Sequence, residues 1–588
     1  MGKRWRIHPH DSDRITRLER SAGVPAVVAQ LLICRGVYDP RHARTFLEAK
    51  LAGLRDPETL PGVAAAVERI HDSVQAGRRI VIYGDYDADG MTATALVYRC
   101  LKMLGADVGY YVPNRMEEGY GLSHEALRTL ASRKTDLVIT VDCGIASLEE
   151  AETARQVGME LIVTDHHEMA ERLPQAAAIV HPRLADGEGP PSNLCGAGVA
   201  FKLAWALCQR ASQSKKVGQR MKDFLVAAVG LVAVGTVADV VPLLDENRIL
   251  VRHGLASLKH QPLVGMATLM RITGLDKKPS LTSEDIGFTL APRLNAAGRL
   301  GQAQLAIELL ITETPQRAEV LAQYLDQLNN SRKGLEQSIY LAANKQAKER
   351  FDPEDDAALV LAGRGWHRGV IGIVAGRLAE KYNRPVALIA LDELGGDTGF
   401  GSARSAGGLN LHAALAACGE HLLTHGGHAA AAGLTIDESR IVPFREDLCR
   451  HVAECIPVDQ REAEIRIDAE APLSQLTLRT VHQMEQLAPF GHGNPRPVLC
   501  TSGVTLAEPP RCIGSGQRHL SLKLNQHGVA LRAVAFGRGD WADELTSLDG
   551  PLDIAYRPMI NDFRGRRSVE LHLVDHRVCS IPASVVES

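Results

Sequence analysis

The sequence lacks several features that would place it in a specialised class of protein. Its eleven cysteines are scattered and include no Cys-x-x-Cys pair, which argues against a zinc ribbon or disulfide framework and for reduced thiols. The longest apolar run, residues 224–234, is interrupted by Gly230 and is too short to span a bilayer. The first residues, MGKRWRIHPHDSD, have no apolar core and do not resemble a secretory signal. We therefore expect a cytoplasmic protein that does not associate with membranes.

Aromatic residues and net charge are also scarce. Aromatic side chains make up 4% of the 588 residues, and the formal net charge is -4 with no long run of one sign. The negative balance weighs against a protein that coats nucleic acid, but it is compatible with a local basic groove. With 45% hydrophobic and 23% charged residues, the chain has an ordinary globular composition. Its length suggests about three to five domains.

The order of predicted elements divides the chain into five parts. A helical segment over residues 1–60 precedes strands that alternate with helices over 61–310, a pattern that predicts an α/β domain with a parallel sheet. A polar stretch over 311–352 predicts a connecting helix about 50 Å long. A second, smaller α/β domain follows over 353–455. Short β segments over 460–582 predict a small antiparallel barrel or sandwich, with an OB-fold as one candidate.

Acidic and histidine side chains follow three strands of the first α/β domain. They are Asp85 and Asp87 after the first strand, Asp142 after a later one, and Asp165, His166 and His167 after the next. Ligands of an open parallel sheet bind beyond the carboxyl ends of its strands, so these side chains are expected at one edge. A further acid, Asp239, follows an apolar helix. Carboxylates suit Mg²⁺ or Mn²⁺, and the added imidazole favours Mn²⁺.

Several of these residues have other interpretations. Residues 85–90 match the start of a calcium-binding EF-hand loop, but Leu96 stands where a bidentate Glu is required, so we set calcium aside. For Asp89 we favour a cap of the following helix over a ligand role. His167 fits a metal ligand and a hydrogen-bond partner of a ligand equally well. Asp239, taken alone, is more often a cap or turn residue.

Four segments in order, GDYDADG, VDCG, TDHH and ADVVPL, resemble the motifs of the DHH phosphoesterases. The resemblance implies a parallel α/β domain that holds two divalent ions, Mn²⁺ or Mg²⁺. It implies that Asp142 bridges the ions and that Asp142, His166 and His167 are catalytic. The implied ligands are Asp85, Asp87, Asp142, His166 and Asp239. The chain departs from the pattern at Tyr83, where many family members have a histidine.

Further segments narrow the resemblance within that family. EEGYGL, APRLNAAGRL, GWHRGVIGIVAGRL, GSARS and GGHAAAAG resemble the bacterial RecJ-type exonucleases, and the similarity runs from about residue 60 to the C-terminus. It implies a DHH domain, a connecting helix, a DHHA1 domain and an OB-fold. It also implies 5′-to-3′ digestion of single-stranded DNA to 5′-mononucleotides by two-metal hydrolysis, in recombination and repair. We expect a monomer whose partners include a single-strand-binding protein and a helicase.

The second α/β domain contains a predicted phosphate site. The small residues of GGHAAAAG would let backbone N–H groups approach an anion, and a tight helix–sheet packing turn is the alternative. Arg404 could form a bidentate contact with phosphate or an ordinary surface salt bridge. We read His367 and Arg368 as polar residues at a helix start. By resemblance, the residues that hold the 5′ end are Arg115, Arg299, Ser402, Arg404, Gly427 and His428.

An aromatic residue among arginines near the C-terminus predicts a track for single-stranded DNA. NDFRGRRS, residues 561–568, combines base stacking with guanidinium charge, which is how single strands are held without sequence readout. A solvated hairpin tip explains the same pattern. The candidate track residues are Phe563, Arg564 and Arg566, with Phe536 and Tyr556 as further stacking candidates.

Two other functions are compatible with parts of the sequence. A small-substrate DHH phosphoesterase would act on short oligonucleotides or cyclic dinucleotides, but the β region beyond residue 460 argues against it. A non-catalytic replication scaffold related to RecJ typically loses metal ligands, whereas this chain keeps all those named above.

Overall fold

The computed structural model describes residues 3–115, 118–184, 192–352, 355–393, 395–457, 461–548, 550–563 and 565–579. The chain forms two compact units, each assembled from separate stretches of sequence. The larger unit comprises Arg55–Val241 and His253–Ala463, and the smaller comprises Met1–Leu54, Pro242–Arg252 and Glu464–Ser588.

The larger unit begins with the predicted parallel sheet. Its five strands, in spatial order, are Val108–Tyr111, Ile80–Gly84, Leu137–Val141, Glu160–Thr164 and Ala178–Val180. All adjacent pairs are parallel. The central strands are buried along their length, which explains why they read as continuous apolar runs.

Helices accompany this sheet in the alternation that the sequence predicts. They are Val63–Gln75, Ala88–Met103, His124–Ser132, Leu148–Gln156, Gly196–Ser212, Gln219–Ala238, Val264–Ile272, Ala291–Arg299 and Ala303–Ile311. A π-helical turn, Ile286–Leu290, precedes Ala291–Arg299. The helix Asp245–His260 contributes its first residues to the smaller unit and the rest to the larger.

The helix after the first strand begins within the acidic segment GDYDADG. It runs over Ala88–Met103 because Asp87 accepts hydrogen bonds from the backbone N–H groups of Asp89 and Gly90 and so acts as its N-cap. The expectation that Asp89 caps this helix is therefore wrong.

The apolar run near residue 230 lies in the helix Gln219–Ala238. This helix is the one stretch among the described residues that is long and apolar enough to cross a membrane, with a mean hydropathy of 1.8. Its second half is buried, and it packs against Ala88–Met103 and Gly196–Ser212. Its apolar composition is accounted for by that packing.

The connecting helix and the second sheet complete the larger unit. The helix covers 36 residues, Pro315–Arg350, with proline in its first turn. The sheet has five strands in the order Leu422–Gly427, Ala431–Asp437, Thr398–Arg404, Val386–Leu391 and Leu359–Arg364. The helices beside it are Arg368–Tyr382, Leu411–Ala417 and Ile441–Cys455.

The smaller unit contains the predicted barrel. Five strands close a ring, because the first and last also pair: Leu499–Leu506, Leu552–Phe563, Arg566–Val578, Val529–Ala535 and His519–Gln526. Four contacts are antiparallel and one, between Val529–Ala535 and Arg566–Val578, is parallel. This is the five-stranded topology expected of an OB-fold. Shorter elements are Ala469–Glu470, Arg511–Ile513, Leu478–Glu485 and Trp541–Ser547.

The N-terminal segment belongs to the same unit as the barrel. Its helices Ser12–Ala22, Ala26–Ile33 and Pro40–Glu48 share one apolar core with the barrel strands. It is not helical throughout, since Arg4–Ile7 forms a strand parallel to Glu464–Ile467. Sequence periodicity could not predict that pairing, because the two strands lie more than 450 residues apart.

Candidate metal centre and phosphate pocket

The carboxyl ends of the parallel strands place the predicted acids together. Their possible ligand atoms form three overlapping groups within 4.8 Å, namely Asp85–Asp87–Asp142, Asp142–His166–His167 and Asp89–His166–Asp239. All five predicted ligands are among them. His166 Nε2 lies 3.1 Å from an Asp142 oxygen and 3.6 Å from an Asp239 oxygen. Asp142 and His166 each belong to two groups, an arrangement that suits two ions with shared ligands.

Three atoms of this cluster show that it fits a cation. Asp85 Oδ1, Asp142 Oδ1 and His166 Nε2 are buried and have no hydrogen-bond partner among the described residues. Buried polar atoms are nearly always paired, because an unpaired one loses its hydration without compensation. Hard oxygen atoms and one imidazole nitrogen form a donor set suited to Mn²⁺ or Mg²⁺.

The electrostatics of the cluster also call for positive charge. Burial and neighbouring carboxylates raise the pKa of Asp142 well above its usual range, and raise the pKa of Asp239 to about 9. Burial and the nearby His167 lower the pKa of His166 to about 3, so its imidazole is neutral and has a free lone pair. Divalent ions would supply the positive charge that compensates these buried carboxylates.

His167 is held differently from His166. Burial by itself lowers the pKa of His167, but a 2.7 Å hydrogen bond between Nδ1 and Asp165 outweighs this and raises it to about 9. Asp165 also accepts hydrogen bonds from the backbone N–H groups of Ile145, His166 and His167. The Tyr120 hydroxyl lies 3.1 Å from the same Nδ1. This geometry favours His167 as a hydrogen-bond partner that orients the site.

Asp89 is a member of the cluster that sequence reasoning placed elsewhere. Its carboxylate accepts hydrogen bonds of 2.6 and 2.9 Å from the N–H groups of Gly196 and Ala197. It therefore caps the helix Gly196–Ser212, more than 100 residues away, rather than its own helix. No local pattern could have indicated this contact.

Glycine at two positions makes room for the acids. A Cβ on Gly196 would lie 2.5 Å from Asp142, and a Cβ on Gly235 would lie 2.3 Å from Asp89 Oδ1. Asp142 itself adopts a φ of 63°, a strained conformation for a residue with a side chain.

A cavity of about 930 Å³ lies within the larger unit and is lined by loops of the first α/β domain and by strands and a helix of the second. Tyr86 and Tyr120 line it beside the acid cluster, and the ring of His428 lies 6.5 Å from that of His167. Five of the six predicted 5′-phosphate residues line it: Arg115, Ser402, Arg404, Gly427 and His428.

Arg115 and Arg404 bring positive charge to the lining of this cavity, and Arg299 lies close enough to feel both charges. Arg299 is not in the lining; it is buried, and its Nη1 donates to the Gly369 carbonyl. Burial and the neighbouring Arg115 and Arg404 lower the pKa of Arg299 to about 10. Arg404 donates to the Ser402 hydroxyl and forms no ion pair with another described residue, so the surface salt-bridge alternative is wrong.

Comparisons with known proteins agree with this geometry. Family models match as DHH family, N-terminal domain over residues 79–236, DHHA1 domain over 355–455 and RecJ OB domain over 467–575. The chain is 38% identical to the single-stranded-DNA-specific exonuclease RecJ of Dickeya dadantii, over 94% of this chain and 96% of that protein. The chain belongs to the RecJ family.

Solved RecJ structures extend the match to the fold. The crystal structure of RecJ from Thermus thermophilus in complex with Mn²⁺ superimposes with a TM-score of 0.83 at 31% identity, covering 98% of this chain and 80% of that one. The complex of the same protein with Mg²⁺ gives 0.77 at 31% identity, covering 98% and 79%. The predicted RecJ order of a parallel α/β domain, long helix, smaller α/β domain and barrel is confirmed.

The GGHAAAAG segment of this RecJ-family chain is a β-hairpin. The edge strand Leu422–Gly427 pairs with Ala431–Asp437, and the N–H of His428 donates to the Ala431 carbonyl. The alternative interpretation of this segment as a helix–sheet packing turn is therefore wrong. Gly427 has a φ of 132°, and a Cβ there would lie 2.6 Å from the facing strand, so only glycine fits.

Three further residues of the larger unit that the sequence singled out are not among the clustered acids and histidines. His367 accepts a hydrogen bond from the Gly369 N–H and caps its helix, as predicted. Arg368 also lines the cavity, with its guanidinium 3.3 Å from the centre of the Phe400 ring, a contact that sequence reasoning did not anticipate. Tyr83 is buried and donates to the Gly121 carbonyl.

The barrel candidates of this RecJ-family chain separate into exposed and buried residues. Phe536 is 56% exposed and lies edge-on between His519 and His572, at 5.4 and 4.9 Å. Tyr556 is fully buried and bonds Thr501, so its prediction as a stacking residue is wrong. Arg566 is exposed at the start of a hairpin strand. Arg564 and the side chain of Phe563 lie outside the described residues.

Proposed function

We propose that this chain is a metal-dependent exonuclease specific for single-stranded DNA. The observation that carries the proposal is a set of buried ligand atoms without partners among the described residues, directly beside a cavity rich in arginine. A phosphodiester substrate needs both features, since its phosphate must be polarised and its negative charge held in place.

Two divalent ions, Mn²⁺ or Mg²⁺, would be held by Asp85, Asp87, Asp142, His166 and Asp239. Such ions polarise the phosphate and lower the pKa of water to near neutrality. Asp89 is a further candidate ligand, since one of its oxygens lies 3.9 Å from His166 Nε2. Asp142 would contribute to both ions, since its carboxylate belongs to two of the groups.

The chain's own residues hold the metal centre in one geometry. Asp165 fixes the backbone of His166 and His167 through their N–H groups, and it keeps the His167 ring in one orientation. His166, uncharged, presents Nε2 to the carboxylates. The Tyr120 hydroxyl donates to the backbone carbonyl of Asp142 and also contacts the His167 ring. These contacts pre-organise the ligands before substrate arrives.

The arginine-lined cavity is the proposed site for the 5′-terminal phosphate. Arg404 and Arg115 would bind this group, with Ser402 and the backbone near Gly427 and His428 completing the set. A terminal phosphate carries up to two negative charges against one for an internal phosphodiester, so clustered guanidinium groups favour it. Such an end pocket beside the acids would set 5′-to-3′ polarity and the release of 5′-mononucleotides.

The barrel is proposed as the track for the rest of the strand. Phe536 offers an exposed ring for base stacking, and Arg566 offers charge at the hairpin tip. An enzyme limited to single strands requires duplex to be opened, so a helicase and a single-strand-binding protein are the expected partners. We place this activity in cytoplasmic DNA recombination and repair, and we expect the chain to act as a monomer.

Digestion of end-labelled DNA tests the proposal. With Mn²⁺, single-stranded substrate labelled at the 5′ end should release a labelled mononucleotide at once, while blunt duplex should persist. Chelation should stop the reaction and added Mn²⁺ should restore it. Cleavage of cyclic or dinucleotide substrates alone would point to the small-substrate alternative, and first release of a 3′ label would refute the polarity.

A further inference from the structure

A second cavity lies in the larger unit, away from the acid cluster. It has a volume of about 600 Å³, within the range of small-molecule sites in proteins. It lies between the second half of the helix Ala88–Met103 and residues 220–231 of the helix Gln219–Ala238. Leu263 and the end of Ala303–Ile311 complete its wall.

The more buried lining residues, here called the floor, are apolar. Leu96, Ala228 and Leu231 are buried at its base, and Phe224 and Met103 are partly exposed beside them. Apolar surface left open to water in a concave site gains free energy when an apolar group covers it.

The charged lining residues, here called the rim, are mostly cationic. Arg99, Lys102 and Arg220 line the opening, against a single acid, Glu313. Glu313 lies 3.5 Å from Arg99, so the two exposed cations Lys102 and Arg220 have no carboxylate partner among the lining residues. Lys102 lies over the Tyr98 ring at 5.7 Å. A ligand with an apolar body and an anionic head would match both floor and rim.

The cavity is separate from the proposed metal centre. The lining residues nearest the acid cluster are Leu96, nine residues beyond the cap Asp87, and Leu231, eight residues before Asp239, which is about 12–14 Å along each helix. The helix Gln219–Ala238 runs from this cavity to Asp239 at its other end. A molecule in the cavity therefore leaves the acid cluster accessible.

We propose that this cavity binds a small amphipathic anion, such as an aryl sulfonate or an alkyl carboxylate. The inference does not depend on the proposed nuclease function, because binding can be measured without DNA or metal. Anilinonaphthalene sulfonate combines an aromatic body with one negative charge and becomes fluorescent in an apolar site, so it serves as the probe.

Titration of the full chain with this probe tests the proposal. The double variant Lys102→Glu/Arg220→Glu should bind at least about tenfold more weakly, since hydrogen bonds to charged groups contribute that much or more. Lys222→Glu is the matched control, because Lys222 is exposed on the same helix but does not line the cavity. It should bind as the parent does.

Two further measurements distinguish an anion site from a merely apolar one. Ala227→Phe places a ring in the cavity and should abolish the signal, with melting temperature recorded to exclude unfolding. Decanoate should displace the probe and decanol should not. Parental affinity in the charge-reversal or Ala227→Phe variant, or equal displacement by decanol, would overturn the proposal.

Discussion

At the scale of single residues, the site depends on side chains held in costly states. Asp142 combines a left-handed backbone, burial and neighbouring carboxylates, none of which favours folding. Asp165 is the contrast: burial opposes its charge, but the hydrogen bond from His167 leads the contacts that lower its pKa to about 2. The charge of Asp142 is therefore left for cations to compensate, whereas that of Asp165 is already compensated by hydrogen bonds from the protein.

Asp142→Ala should abolish hydrolysis and leave DNA binding largely intact. Loss of a shared ligand disturbs both proposed ions, so we expect turnover to fall by at least about a thousandfold. Turnover and affinity are measured separately, with the exposed Asp107→Ala as control. Turnover within tenfold of the parent would remove Asp142 from the site.

Arg404→Ala should erase the preference for a 5′-phosphate over a 5′-hydroxyl end. Charge-assisted hydrogen bonds are worth about 1.5–3 kcal/mol, so affinity for the phosphorylated end should fall roughly ten- to a hundredfold. Both ends are assayed at fixed salt, because phosphate contacts are screened. Arg440→Ala, exposed in the same domain, is the control. An unchanged ratio would show that Arg404 does not read the end.

At the scale of elements, strand ends and helix ends build the centre together. Strands place Asp85 and Asp142, the N-terminus of Gly196–Ser212 binds Asp89, and the C-terminus of Gln219–Ala238 presents Asp239. The resulting excess of carboxylate couples metal binding to pH.

Mn²⁺ should stabilise the protein more at pH 8 than at pH 6. The pKa of Asp239 is raised to about 9, from about 4 in an unfolded chain. Without metal, the folded state therefore favours the protonated acid, so this group's contribution to stability is complete below pH 4 and is lost as the pH rises towards 9. Fewer protons compete with the ion at the higher pH. The shift in melting temperature with and without Mn²⁺ measures this, and Asp142→Ala should reduce it. An equal or smaller shift at pH 8 would contradict the prediction.

Phe536→Ala should weaken binding of long single strands. Stacking of one base contributes about 1–3 kcal/mol, so we expect a loss of roughly five- to a hundredfold, with little effect on very short substrates. Tyr38→Ala, exposed in the same unit, is the control. Equal losses on long and short strands would assign Phe536 a different role.

At the scale of the whole molecule, the chain ends build one unit. Leu31 and Leu32 from the N-terminal helices and Leu520 and Leu522 from the barrel belong to the same core. The sequence predicted two separate domains here, residues 1–60 and 460–582. Those domain limits remain predictions. Cutting the chain near residue 460 therefore removes half of a core as well as a proposed DNA track.

A chain of residues 1–463 should be less soluble and less stable than one of residues 55–463. The longer fragment leaves the apolar faces of Ala26–Ile33 and Pro40–Glu48 without the barrel, whereas the shorter one lacks both the helices and the barrel and keeps only Pro242–Arg252 of that unit. Melting temperature and soluble yield compare them, with the full chain as reference. Equal behaviour would mean that the N-terminal helices fold on their own.

The sequence by itself determined the local elements and the positions of the acids. Apolar runs followed by Asp85, Asp142 or the Asp165–His167 segment encode a strand and its functional end within a few residues. The order of the four motifs indicates the family for the same reason, since each motif is a short continuous segment.

Only the tertiary structure decided contacts between distant segments. The role of Asp89 at a remote helix, the burial of Tyr556 inside the barrel and the pairing of Arg4–Ile7 with Glu464–Ile467 leave no periodic signal. Local propensity acts over a few residues, whereas each of these contacts joins parts of the chain brought together by burial of a common core.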